Sequence, residues 1–131
     1  MPLVHVCTIR LLLALALAGL PLLPLTARAA PDFSAYLADF RQALARNDSA
    51  RIASLTRLPF LFEGHQQDRQ GFIRIYPQLF DAPTRRCLAR TRPMEEDGAR
   101  VIFCQPYAFY FRLEQGAWRL VEFAADGEDM P

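Results

Sequence analysis

The chain contains no lysine. All 15 basic residues are arginine, set against 14 acidic residues, for a formal net charge of +1. Nucleic-acid binders carry a basic excess, so this balance argues against that class. A membrane-spanning run is also missing. The longest uncharged apolar stretch, 11–25, is broken by Pro21 and Pro24, and a spanning helix needs roughly 20 apolar residues. There is no CxxC, HxH or HExxH spacing, no Ser–His–Asp set, no phosphate-binding glycine loop and no internal repeat. Nucleophilic, nucleotide and redox-cofactor chemistry therefore have no positive support, and neither a cofactor nor a metal is expected.

What the first thirty residues do contain is the pattern of a secretory signal. Arg10 precedes the apolar run, and Thr26-Ala27-Arg28-Ala29 follows it with small residues at the two positions a signal peptidase reads. The expectation is a cleavable signal over 1–29, no stable membrane anchor after cleavage, and a single domain over 30–131 that is periplasmic or secreted. Cys7 leaves with the signal. The remaining 102 residues hold 13 arginines against 14 acids and keep all ten Phe, all four Tyr and Trp118. Aromatic side chains bury large apolar areas, so this set can build a core. Cys87 and Cys104 are the two cysteines left. An even pair in an oxidising compartment reads as a disulfide. With Glu95-Glu96-Asp97-Gly98 as a turn midway between them, the expectation is a bridge between adjacent antiparallel strands. The competing roles, a thiol nucleophile or a metal pair, lack a nearby histidine.

Hydrophobic spacing orders the elements. Phe33, Tyr36, Leu37, Phe40 and Leu44 fall on one helical face, opposite Asp39, Arg41, Gln42 and Arg46. Asp48 or Ser49 can cap a shorter helix to about Arg57, with Ile52 and Leu55 inward. Phe60–Glu63 reads as a strand ended by Gly64. Asp68 can cap a third helix with Phe72, Ile73, Tyr76 and Phe80, which Pro77 should kink or stop near Ile75. Asp81–Thr84 reads as a loop, and Arg85–Arg92 and Ala99–Cys104 as strands. Pro106 marks a strand start or bulge. Tyr107–Leu113 and Trp118–Ala124 form a hairpin about Gln115-Gly116. Counted from that turn, Leu113 faces Trp118, Phe111 faces Leu120 and Phe109 faces Glu122. Asp126–Pro131 reads as a frayed tail.

Helices first, then strands, give an α+β class with N-terminal helices packed on an antiparallel sheet. The stretch Phe33-x-x-Tyr-Leu-x-x-Phe-Arg-x-Ala-Leu, the segment Asp48–Phe62 and the closing Phe109-Tyr-Phe-Arg-Leu-Glu-Gln-Gly-Ala-Trp-Arg-Leu-Val resemble the NTF2-like superfamily of cystatin-like fold. That resemblance implies a strongly bent, cone-like sheet wrapping a long helix, with a pocket at its open end. It implies no particular chemistry, because such folds host isomerases, dehydratases and binding modules alike.

Four groups are candidates for function. Glu122 on the aromatic face, with Tyr107 near it, can act as a general acid or base beside an oxyanion donor. A register slip instead turns Glu122 to solvent. Glu63 and His65 stand two apart, yet two ligands do not complete a metal site, and an exposed loop histidine fits as well. Arg85, Arg86, Arg90, Arg92 and Arg100 can hold an anion or simply solvate a strand face. Phe62, Phe109, Phe111 and Trp118 can line an apolar pocket or form core. The leading expectation is a non-enzymatic binding module for a small apolar molecule or a protein partner. The alternatives are a cofactor-free isomerase or dehydratase using Glu122 with Tyr107, and a homodimeric interaction protein.

Overall fold

Four aspartates set the starts of four helices. Asp32, Asp48, Asp68 and Asp81 are the N-caps of α1 (Phe33–Ala45), α2 (Ser49–Ser54), α3 (Arg69–Leu79) and α4 (Ala82–Arg90). Each carboxylate accepts a backbone N–H of the first turn, from Ser34, Arg51, Gly71 and Thr84, at 2.7–3.0 Å. This satisfies donors that the helix leaves unpaired. The computed structural model describes residues 18–24 and 31–125. The expected signal segment 1–29, its cleavage point and the tail 126–131 lie outside those residues, apart from 18–24, which carry no regular structure.

Three X-Gly pairs make the hairpin turns. Glu63-Gly64, Asp97-Gly98 and Gln115-Gly116 all have both residues at positive φ, the conformation that matches the twist of two-residue hairpins. They join β1 (Phe60–Phe62) to β2 (His65–Gln67), β3 (Met94–Glu96) to β4 (Ala99–Cys104), and β5 (Tyr107–Glu114) to β6 (Ala117–Ala125). A turn containing the Gln105–Pro106 cis peptide joins β4 to β5. The described strands form a two-stranded hairpin, β1-β2, and a four-stranded meander in the order β3-β4-β5-β6. The fold is α+β, as the element order implies.

The core lies between the helices and one face of the meander. Phe40 of α1, Phe72 of α3, Phe80 after it, Phe60 of β1, and Phe109 and Phe111 of β5 are all fully buried. Their rings meet edge to face or stacked at 5.3–6.3 Å, the separations aromatic pairs prefer. The outer edge of β6 is covered at one point. Leu120 N–H donates to the Leu55 carbonyl and Arg57 N–H donates to the Leu120 carbonyl, at 3.0 and 2.8 Å. Arg41, read from spacing as a polar-face residue, reaches α4: its Nε and Nη2 donate to the Leu88 and Thr91 carbonyls at 2.9 and 2.7 Å. A cation is favoured where a helix leaves carbonyls unpaired.

Three expected elements are corrected. The segment expected as the strand Arg85–Arg92 is helical as far as Arg90, because Asp81 caps it and Pro83 sits in the first turn, where a missing N–H costs nothing. Helix α3 runs through Pro77 to Leu79. Pro77 removes one hydrogen bond two residues before the end, where little helix remains to break. The turn expected over Glu95–Gly98 is shorter, because Glu95 and Glu96 belong to β3 and only Asp97-Gly98 turn the chain. Cys87 and Cys104 do form a disulfide, with Cα atoms 5.7 Å apart, but it ties α4 to β4 instead of joining two strands.

Candidate functional site

Register decides which side chains meet. The hairpin β5-β6 begins as counted from its turn, with Leu113 opposite Trp118 and Phe111 opposite Leu120. A bulge then intervenes between Tyr110 and Phe111, so that Tyr110 faces Glu122 and Phe109 faces Phe123. Val121 is the extra residue. One inserted residue reverses the facing of all that follows. Phe123 enters the core, where it stacks with Phe60 at 5.9 Å and Phe109 at 6.5 Å. Glu122 goes to the outer face and is exposed.

The expected pair of Glu122 and Tyr107 is therefore not assembled. Tyr107 lies opposite Ala125 and packs edge to face on Phe123 at 5.5 Å, on the inner side. An acid–base reading that needs both groups in one pocket loses its geometry. Phe62, Phe109 and Phe111, expected as pocket lining, are at most 7% exposed and pack in the core. Trp118 is half-buried, and its indole N–H donates to the Pro31 carbonyl at 2.9 Å. It borders a shallow depression with Phe33, Arg92 and Arg100.

The remaining candidates separate. Glu63 occupies the β1-β2 turn, and His65 Nδ1 lies 2.9 Å from the Glu63 carbonyl, closing that turn on itself. Among the described residues no group of three metal-ligating side chains exists. The arginines lose their shared strand face because Arg85, Arg86 and Arg90 lie on α4. Arg90 and Arg85 donate to carbonyls of Arg86 and Phe80, and Arg100 pairs with Glu95 at 3.2 Å.

The structure instead forms a groove on the outer face of the sheet, of about 660 Å³. One wall is the segment Leu58-Pro59 together with Leu61 and Gln66 of the β1-β2 hairpin. The other is Tyr110 of β5 and Glu122 to Ala124 of β6. The cross-strand row Met94, Val101, Tyr110, Glu122 runs along this face. Leu61 is 53% exposed and Met94 60%. Burial pushes the Tyr110 phenol above its ordinary pKa, with the Glu96 and Glu122 carboxylates adding to the effect and Arg112 opposing it. Arg57 borders the groove, but its charge is engaged: Nη1 donates to Glu114 at 2.7 Å and Nη2 to the Val121 carbonyl at 3.2 Å.

Leu61 and Gln66 were not singled out as site residues from the sequence. The signal for them was the apolar pattern itself. Strict alternation from Leu120 turns Glu122 inward and Phe123 outward, and a single bulge repairs both. No family model matches the chain, and neither the curated proteins nor the solved structures contain a match to it.

Proposed function

We propose that the chain is a secreted or periplasmic binding module without catalytic function, and that its site is the outer groove. The observation that carries this reading is the groove itself, where Leu58, Pro59 and Leu61 offer apolar surface beside polar ends from Tyr110, Gln66 and Glu122. The groove is thus mixed in character, with polar groups placed to orient what lies against its apolar wall. The core rings expected to line an interior pocket are spent on one another, so binding is assigned to the outside. The signal-like pattern before Ala30 and the Cys87–Cys104 bridge support a destination outside the cytoplasm. Among the described residues no helix is long and apolar enough to cross a membrane. An NTF2-like relationship, with the sheet bent as a cone around α1, belongs to the same proposal. The order of helix pair, hairpin, helices and meander supports it.

Titration of isotope-labelled mature protein with n-hexanol, a neutral apolar probe, tests the site. Saturable amide shifts should centre on Leu61, Tyr110 and Ala124, and Leu61→Arg should remove them. Shifts confined to α1 and α4, or none at all, would overturn the assignment. Exposure of Met94 and Phe103 on the same outer face favours a second reading, self-association through the sheet. Sedimentation showing one monomeric species up to high concentration would defeat it.

A further inference from the structure

Glu122 is a groove charge that no cation answers among the described residues. Among the described residues the ion pairs are Arg51 with Asp39, Arg57 with Glu114 and Arg100 with Glu95. Glu122, which lines the groove, is in none of them. Two arginines near this face, Arg57 and Arg112, are already held. Arg57 is bound to Glu114 and the Val121 carbonyl, and Arg112 donates to the Asp97 carbonyl at the β3-β4 turn, 2.9 Å away. The Glu122 carboxylate therefore stands opposite Tyr110 in the strand register, without a cation of its own.

Resting on the binding-module reading above, we infer that the groove receives an extended segment of a partner protein that presents an arginine or lysine side chain to Glu122 and Tyr110. Charge complementarity selects a cation, since Glu122 is the unpaired charge of the groove. The phenol supplies the electron-rich ring face that guanidinium and ammonium groups favour. The apolar wall of Pro59 and Leu61 suits the aliphatic stem of such a side chain, because arginine and lysine bury their methylenes while the charged head stays wet. An extended chain is chosen over a small molecule because the groove is a trough open to solvent, whereas small-ligand sites enclose most of their ligand. Apart from the bridge of Thr56 to Leu120, no strand pairs with the outer side of β6 among the described residues, and open strand edges are a common place for extended segments to lie.

In an extended segment, alternate side chains share a face. The capped peptide Leu-Ser-Arg-Ser-Leu places its arginine between two leucines on one side, and the peptide with norleucine for arginine removes only the charge. Amide-shift titration of the mature protein should show the arginine peptide binding about fivefold more tightly than the norleucine peptide, the difference expected for one partly exposed charge contact. Glu122→Gln should erase that difference by weakening the arginine peptide. Circular dichroism of Glu122→Gln, an exposed position, checks that the fold is intact. Equal binding of the two peptides in the groove would overturn the cation assignment while leaving the binding module standing. Failure of both peptides and of n-hexanol to shift groove amides would overturn the module itself. Free n-butylguanidinium binding as tightly as the peptide would overturn the choice of an extended partner.

Discussion

At the scale of single residues, the two groups most informative about stability lie outside the groove. Tyr76 is 2% exposed and its hydroxyl has no hydrogen-bond partner among the described residues, while its ring stacks on Phe80 at 5.1 Å. Burial pushes its phenol above the ordinary pKa. An unmet buried hydroxyl costs free energy that a phenylalanine avoids. Tyr76→Phe should leave stability unchanged or raise it by up to about 1 kcal/mol in urea unfolding, and a clear loss would reveal a partner for the hydroxyl. Asp81 presents the opposite case. Thr84, through its side chain and then its backbone N–H, holds the Asp81 carboxyl below the usual carboxylate range. A carboxyl depressed in the folded state stabilises above its unfolded pKa, near 3.9, and loses that contribution as pH falls through the folded value. Asp81→Ala should cost about 1 kcal/mol at neutral pH, as for other N-caps. The gap from wild type should narrow in acid unfolding experiments. A constant gap would mean the cap works without its charge.

At the scale of elements, legibility followed the strength of the local signal. Helix α1 was plain because five apolar residues recur on one face, and Leu37, Phe40 and Leu44 are buried as that face requires. Helix α4 was hidden because only Thr84 and Leu88 are buried in it, too few to show a period. Its cap, Asp81 before Pro83, was the readable sign. The bulge at Val121 was hidden for another reason. Counting outward from a turn assumes one residue per step, and the pull that shifts the register is the burial of Phe123 against Phe60 and Phe62, which are distant in sequence. The groove depended on that bulge, so it was legible only in its parts. The turns were legible where an X-Gly pair stood between apolar runs. At Gly116 φ is +78° and an added Cβ would meet nothing within 4 Å. The cost of Gly116→Ala is thus backbone strain alone, about 1 kcal/mol. Gln115, at φ 50°, should accept Asn with a gain of a few tenths of a kcal/mol. Thermal unfolding of the two variants should move in opposite directions. A shared direction would mean that the turn is not held in this conformation.

At the scale of the molecule, helix α4 shows how a weakly buried element is kept in place. It offers the core little beyond Leu88, and it is attached instead by the Cys87–Cys104 bridge to β4 and by Arg41 from α1. The bridge closes a loop of 17 residues in sequence separation, for which chain entropy gives about 3 kcal/mol of stabilisation. Cys87→Ser with Cys104→Ser should therefore lower unfolding stability by about that amount. The loss need not spread evenly, because elements with little burial open at lower cost than the core. The β5-β6 hairpin keeps its pairing and its buried Phe109, Phe111 and Leu120 without the bridge. Native-state hydrogen exchange of the double variant should show amides of Ala82–Arg90 opening at a clearly lower free energy than those of β5 and β6, which should still exchange at the variant's own, lowered global stability. Equal opening free energies in both would show that α4 and the meander unfold as one unit, and that the disulfide stabilises the whole fold rather than anchoring one helix to it.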